Sequence, residues 1–151
     1  MAALASIGSS TAGVAGQYYQ GEAYAATDNR LLYRESHWLY TENGVEYRLV
    51  VYSCPSGEPF VRKRIDTAPG AATPDVDLFD ARLGYREGVR TRDGQREVFA
   101  QADARSPERR AALPLPQPAH AVTSSRRRGD VTAAEVERAA GMPLTGRCMF
   151  Q

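Results

Sequence analysis

The sequence predicts a mainly β (α+β) fold, an antiparallel β-meander followed by one C-terminal helix. Two observations carry this prediction. The dipeptides Asn43-Gly44 and Asp93-Gly94 each lie between runs rich in β-branched and aromatic residues, a strong short-range hairpin signal. Only residues 132–141 carry both start and stop signals of a helix. A chain of 151 residues is long enough for one domain with a core of its own.

The strand-and-turn pattern runs from Tyr18 to about Ala102 and predicts five to seven strands. The aromatic run YYQGEAY comes first, and NRLLYRESHWLY and VEYRLVVYSC then flank Asn43-Gly44. The turn CPSGEPF leads into FVRKRI, and a loop leads on to DVDLFDARLGYREGVR. The segment REVFAQA follows Asp93-Gly94 and completes the second hairpin.

A two-residue loop at Asn43-Gly44 fixes the register of the first hairpin, because Glu42 then pairs with Val45. One face of this hairpin is a predicted core face, formed by Trp38, Tyr40, Tyr47, Leu49 and Val51. The opposite face also carries large apolar groups. The sheet is therefore expected either to be covered on both sides or to curl toward a partly closed barrel.

The domain organisation is predicted from changes in composition along the chain. Four prolines between Pro107 and Pro118 mark an extended linker. In the helix that follows, Thr132 and Glu135 form a capping box and Gly141 stands at the C-terminal stop. Val131 and Val136 form a predicted hydrophobic staple at the start of this helix. The predicted segments are a leader (1–16), a β-meander core (17–104), a Pro/Arg-rich linker (105–130), and a helix with a short terminal strand (131–151).

The uncharged start MAALASIGSSTAGVAGQ allows two interpretations. It is either the end of a signal peptide, with cleavage after Ala15 or Gly16, or a flexible leader. The two cysteines, Cys54 and Cys148, likewise form either one disulfide in an oxidising compartment or two buried thiols.

The composition argues against several classes of function. The net charge of +1 gives no overall field toward nucleic acid or membrane, and no apolar run is long enough to span a bilayer. The clusters Arg62-Lys63-Arg64 and Arg126-Arg127-Arg128 are interpreted as solvated surface rather than phosphate contacts. No metal or cofactor is predicted, because metal-ligand spacings are missing and the acidic cluster at Asp75, Asp77 and Asp80 lacks the calcium-loop glycine and glutamate.

The best catalytic candidates are Glu35 and His37, with Arg48 as charge partner. Glu35 and His37 share a strand face, so their side chains can meet through a hydrogen bond or a water. Cys54 lies four strand positions from the level of His37, about 13 Å away at 3.3 Å per residue, too far for a thiolate–imidazole pair. The favoured interpretation is a half-exposed strand histidine rather than an acid–base site.

The segments GEAY, RLLYRESHW, LVVYSCPSGEPFVRKR and PDVDLFDARLGYREGVR occur in this order between Gly21 and about Phe99. This part resembles an uncharacterised family of small proteobacterial proteins whose members commonly begin with a signal peptide. The resemblance implies export but no known activity, so it assigns no catalytic residue. After about Pro118 the sequence departs from the family. A shifted reading frame would explain the departure, but the helix signals at 132–141 argue against one.

Together these observations predict a non-enzymatic, exported protein of the bacterial envelope. It would act by binding an apolar or lipid-like ligand or another envelope protein, and would be periplasmic or envelope-associated rather than cytoplasmic. Its candidate ligand-binding residues are Trp38, Tyr40, Tyr47 and Tyr52, although simple core filling is the favoured interpretation of each. A small enzyme using Glu35 and His37, and a nucleic-acid-binding protein using Arg62, Lys63 and Arg64, are the alternative classes.

Overall fold

The computed structural model describes residues 16–113 and 129–146, which form one nine-stranded antiparallel sheet and one helix. The strands and the helix are β1 (Gly16–Tyr24), β2 (Leu31–Glu42), β3 (Val45–Ser53), β4 (Pro59–Asp66), β5 (Asp75–Asp80), β6 (Tyr85–Arg92), β7 (Gln95–Gln101), β8 (Arg109–Ala112), β9 (Gly129–Val131) and α1 (Ala133–Gly141).

The first eight strands form a continuous meander in which each strand pairs with the next along the chain. β9 joins the outer side of β1, so β8 and β9 lie at opposite ends of the sheet. The predicted antiparallel meander with one C-terminal helix is thus confirmed. Over the described strands the sheet is open and not closed into a barrel.

The two predicted hairpin turns set the register of the strands that they join. Asn43 (φ 50°) and Gly44 (φ 78°) both have positive φ, as do the two residues of the second turn, Asp93 and Gly94. Trp38 therefore pairs with Leu49 in the first hairpin, and Arg90 pairs with Glu97 in the second. Both registers agree with the prediction from sequence.

The two faces of the sheet differ in what covers them. We call the side that carries Trp38 and Leu49 the helix face, because α1 packs there. Ala139 of α1 lies in one buried cluster with Leu49 and Val51, and Trp38, Tyr40 and Met142 pack against this cluster. We call the opposite side, which carries His37, Val50, Lys63 and Val76, the groove face.

A second buried cluster lies where β3 turns into β4. It contains Cys54, Phe60 and Val61, and Cys54 is disulfide-bonded and fully buried. Of the two states expected for the cysteines, disulfide or buried thiol, Cys54 is therefore in a disulfide. Cys148, the other cysteine of the chain, lies outside the described residues. The backbone N–H of Thr145 donates to the carbonyl of Pro59 (2.8 Å), which ties the segment after α1 to the start of β4.

The predicted helix is confirmed, and its N-terminus is capped as expected. Thr132 accepts from the backbone N–H of Glu135, and the Glu135 carboxylate accepts from the backbone N–H of Thr132. The predicted staple partner Val136 is buried, whereas the side chain of Val131 lies outside what the structure describes.

Two short strands lie near the ends of the predicted linker at 105–130. β8 lies inside it and pairs with β7, and β9 begins at Gly129. The sequence Arg-Arg-Ala-Ala has little β-propensity of its own, and β8 forms by pairing with the edge of β7. Residues 1–15, 114–128 and 147–151 lie outside the described residues, including most of the leader, His120, Arg126–Arg128 and the end of the predicted terminal strand.

Candidate functional site: a groove on the uncovered face of the sheet

An open groove of about 560 Å³ lies on the groove face, over strands β4 to β8. Its floor is formed mainly by alternate residues of these strands, because successive side chains of a strand point to opposite faces. Gly88, Phe99 and Arg110 also border the groove, although the register places them on the helix-face side. The residues that line the groove are Lys63, Val76, Leu78, Glu87, Gly88, Val89, Val98, Phe99, Ala100, Arg109, Arg110 and Ala111.

One row of paired residues crosses the groove and is apolar along its whole length. In register order across β4 to β8, its members are Ile65, Val76, Val89, Val98 and Ala111. Four strand spacings of about 4.8 Å make this row about 19 Å long. We call it the apolar row. Ile65 lies just beyond the residues that line the groove, and the row continues from it onto β3, where Arg48 pairs with Ile65 and ends the row with a charge.

The neighbouring row of the groove is amphipathic. It runs from Lys63 through Leu78, Glu87 and Ala100 to Arg109. Glu87 accepts a hydrogen bond from the Tyr85 hydroxyl (2.6 Å). Within residues 16–113 and 129–146, neither Lys63 nor Arg109 forms an ion pair, so the groove holds two unpaired cations and one carboxylate.

Glu35 and His37 meet on the same face, beside the groove. The Nε2 atom of His37 lies 3.0 Å from Oε2 of Glu35, and the ring of Tyr19 stacks on the imidazole with centroids 4.3 Å apart. The side chain of His37 is only 10 % exposed, and its Nδ1 has no hydrogen-bond partner among the described residues. His37 is therefore more buried than the half-exposed histidine predicted from sequence, because Tyr19 of β1 covers it.

Burial determines the charge states of this cluster. It lowers the pKa of His37, the nearby cations Arg48 and Lys63 lower that pKa further, and Glu35 opposes them without reversing the direction. Burial also raises the pKa of Tyr52 to about 12, with a smaller contribution from the Glu35 charge. At neutral pH the imidazole is therefore uncharged and the Tyr52 phenol is protonated.

The predicted aromatic ligand-binding residues occupy other places. Trp38 and Tyr40 pack against the cluster under α1, and Tyr47 stacks on Tyr40 with centroids 5.3 Å apart, all on the helix face. Tyr52 lies on the groove face but packs against the Cys54 cluster. None of the four lines the groove. The sequence analysis did not identify the residues that line the groove. Two signals could have found them: the apolar residues Val76 and Leu78 at alternate positions, and the pairing of Val89 with Val98 in the second hairpin.

The basic triplet does not form one surface. Lys63 points to the groove face, while Arg62 and Arg64 point to the helix face. Arg62 donates to the carbonyl of Met142, and the Arg64 guanidinium lies 5.0 Å from the centroid of the Tyr47 ring. A nucleic-acid interface built on these three residues together is therefore not supported by their placement, and Arg126–Arg128 lie outside the described residues.

The other candidate groups have structural partners. Cys54 is disulfide-bonded and supplies no thiolate to His37. Asp75 accepts from the backbone and hydroxyl of Thr91, while Asp77 and Asp80 pair with Arg86 and Arg82. Asp80 also accepts from the backbone N–H of Arg82, as a turn cap does. No group of three or more potential ligands able to hold a metal occurs in the described part of the chain.

Comparisons with protein-family models, curated proteins and solved structures found no match. The resemblance to the proteobacterial family therefore stays a prediction. In the two described ranges, no helix is long and apolar enough to cross a membrane. The class of site is thus defined by geometry alone: an open, mainly apolar groove with a cation at each end, Lys63 on β4 and Arg109 on β8.

Proposed function

We propose that this protein is a non-enzymatic binding protein exported to the bacterial envelope, and that it holds an apolar small molecule in the groove. The groove is the observation that carries the proposal. Its floor is aliphatic, and its volume of about 560 Å³ lies in the range typical of small-molecule sites. Apolar surface left open to water gains roughly 25 cal/mol for each Å² that a ligand covers.

The disulfide at Cys54 supports the exported location. Disulfides persist in oxidising compartments such as the periplasm and are rare in the reducing cytosol. The family resemblance adds the expectation of a signal peptide. The intact mass of the native protein from fractionated cells tests this part. A periplasmic, oxidised chain shortened to about Gly16 is expected, and a full-length, reduced chain in the cytosol would contradict export.

A matched pair of variants tests binding in the groove. Ala111 and Ala112 are both exposed on β8, but Ala111 lines the groove and Ala112 points to the helix face. Ala111→Trp should fill the groove and weaken binding of the uncharged fluorescent probe N-phenylnaphthylamine at least about tenfold, or 1.4 kcal/mol. Ala112→Trp should leave the binding unchanged. Equal effects, or no binding by the unsubstituted protein, would overturn the proposal.

Acid–base catalysis is the second candidate, because Glu35 and His37 form a hydrogen-bonded pair. The neutral imidazole has a free Nδ1, as a general base requires, but the side chain is nine-tenths buried. Chromogenic ester hydrolysis by the unsubstituted protein and by His37→Gln separates the candidates. We expect no turnover by either protein. Turnover that His37→Gln abolishes would favour the enzyme.

A further inference from the structure

We propose that the ligand of the groove is a linear amphiphile with one hydrocarbon chain and a carboxylate, and that Arg48 and Lys63 bind the carboxylate. This inference rests on the proposed function, because it names the chemistry of the molecule that the groove holds. It assigns the hydrocarbon chain to the apolar row and the carboxylate to the β3–β4 end of that row.

The shape of the groove favours a single chain. The apolar row is the one row of the groove without a charged side chain from Ile65 to Ala111, and its length of about 19 Å comes from four strand spacings. The next row carries Lys63, Glu87 and Arg109, so a second hydrocarbon chain lying there would desolvate three charges. One extended chain therefore fits the floor, and a two-chain lipid does not.

The charges at the β3–β4 end favour an anionic head group. Arg48 ends the apolar row, and Lys63 is its diagonal neighbour on β4, at about 7–8 Å. Both side chains are half-buried, and neither side chain forms a hydrogen bond or an ion pair with residues 16–113 and 129–146. Half-buried cations without partners are costly, and a carboxylate would satisfy both through charge-assisted hydrogen bonds.

The carboxylates on the same face do not cancel this pair. Glu35 and Glu87 keep their negative charges, because the His37 imidazole and the Tyr85 hydroxyl that bind them are neutral, but both carboxylates are distant from the pair. Glu35 lies two strands and two residues along the sheet from Lys63, about 12 Å away. Glu87 lies two strands from Lys63, a separation of about 10 Å. Glu46, two residues before Arg48, is exposed and forms no ion pair with Arg48. At the end of the apolar row, the two cations Arg48 and Lys63 therefore face one nearby carboxylate, the exposed Glu46, which leaves a local excess of positive charge.

Calorimetric titration of the delipidated full chain with three amphiphiles of equal chain length tests the assignment. We expect laurate to bind at least about tenfold more tightly than dodecanol, and dodecyltrimethylammonium to bind most weakly. Arg48→Gln and Lys63→Gln should each weaken laurate binding about tenfold and leave dodecanol binding unchanged. Arg64→Gln is the matched control, because Arg64 neighbours Lys63 but points to the helix face, and it should have no effect.

The possible failures are distinguishable. If laurate and dodecanol bind equally, and Ala111→Trp weakens both, the groove stands and the carboxylate assignment is wrong. Tightest binding of the cationic amphiphile would also overturn the assignment. If no amphiphile binds and the uncharged naphthylamine probe does not bind either, both the carboxylate assignment and the proposed function are wrong. Thermal unfolding of each variant, together with Lys63→Arg, which should retain laurate binding, separates lost contacts from lost folding.

Discussion

The two halves of the sheet are built on the same meander but are covered differently. In β1 to β3, α1 covers the helix face, and Tyr19, His37 and Val50 are buried on the groove face. In β5 to β8, no helix among the described residues covers the helix face. There, Phe99 is only 4 % exposed, because the guanidinium groups of Arg86 and Arg90 lie over its ring at 5.6 and 4.6 Å from the centroid.

This difference shows how one sheet can separate stability from binding. Arg90 also pairs with Glu97 and with Glu108, so the arginines that cover Phe99 are fixed by carboxylates. A salt-bridged layer closes the helix face of the second half, and the residues that the structure describes leave its groove face open. The first half, closed on both faces, holds much of the described core. The predictions below probe that division.

The largest effect is expected at Gly88, where the second half is packed most tightly. A Cβ at this position would collide with the backbone carbonyl of Val76 and lie 2.7 Å from Cζ of Phe99. Gly88→Ala should therefore destabilise the protein by about 3 kcal/mol, since backbone must move to admit it. Denaturant unfolding measures the loss.

Gly21→Ala in β1 is the matched control for Gly88→Ala. Its Cβ would have Glu35 Cβ as its only neighbour within 4 Å, at 4.0 Å, which is ordinary van der Waals contact. The unfolding free energy should change by no more than about 0.5 kcal/mol. If both variants lost the same unfolding free energy, the packing around Gly88 would be no tighter than the packing around Gly21.

An effect of similar size tests whether α1 stabilises the first half. Ala139 is 2 % exposed against Leu49 and Val51, so Ala139→Glu would place a carboxylate in an apolar cluster. We expect a loss of about 3 kcal/mol in denaturant unfolding, or release of the helix. Ala140→Glu, one residue on and exposed, should change stability by less than about 0.5 kcal/mol. A tolerated Ala139→Glu would show that the docked helix adds little.

Local sequence signals predicted much of the fold because they are properties of a few adjacent residues. Asn43-Gly44 and Asp93-Gly94 tolerate positive φ, and a two-residue turn then fixes every pair of its hairpin. The same register placed Glu35 and His37 on one face, so their meeting was predictable. The capping box at Thr132 was also predictable, because it depends only on Thr132 and Glu135, three residues apart.

What depended on pairing between distant segments could not be predicted. β8 forms only because β7 offers an edge, and the stacking of Tyr19 on His37 depends on the register of β1 against β2. Trp38, Tyr40 and Tyr47 were candidates for a ligand wall, with core filling as the favoured interpretation. Trp38 and Tyr40 pack against the cluster under α1, and Tyr47 stacks on Tyr40. The groove is likewise a property of five strands taken together.

The buried histidine of the first half should make stability depend on pH. The pKa of His37 is lowered in the folded protein, chiefly by burial, so the unfolded chain binds more protons below its ordinary value of 6.5. Stability should fall as the pH decreases from about 6.5 toward that lower pKa, by at most about 1.4 kcal/mol per pH unit for this one group. Tyr19, Glu35, Arg48 and Lys63 surround the imidazole.

Unfolding free energies of the unsubstituted protein and of His37→Gln, measured between pH 7.5 and about 5, isolate this contribution. The slope should disappear in His37→Gln and persist in His120→Gln, which removes the only other histidine of the chain. The loss below about pH 4.5, where carboxylates such as Asp80 and Glu97 protonate, should remain in all three proteins. An unchanged slope in His37→Gln would assign the effect to another group.

The smallest effect is expected at the cap of α1, because only the end of the helix is involved. Thr132→Ala removes the acceptor for the Glu135 backbone N–H and should cost about 1 kcal/mol, while Thr132→Ser keeps the hydroxyl and most of the stability. Amide exchange sharpens the comparison. The substitution should raise exchange in α1 and leave β5 to β8 unaffected, since α1 packs on β3. If protection fell equally in β7, the two halves would unfold as one cooperative unit, and the helix would support the groove as well as the first half.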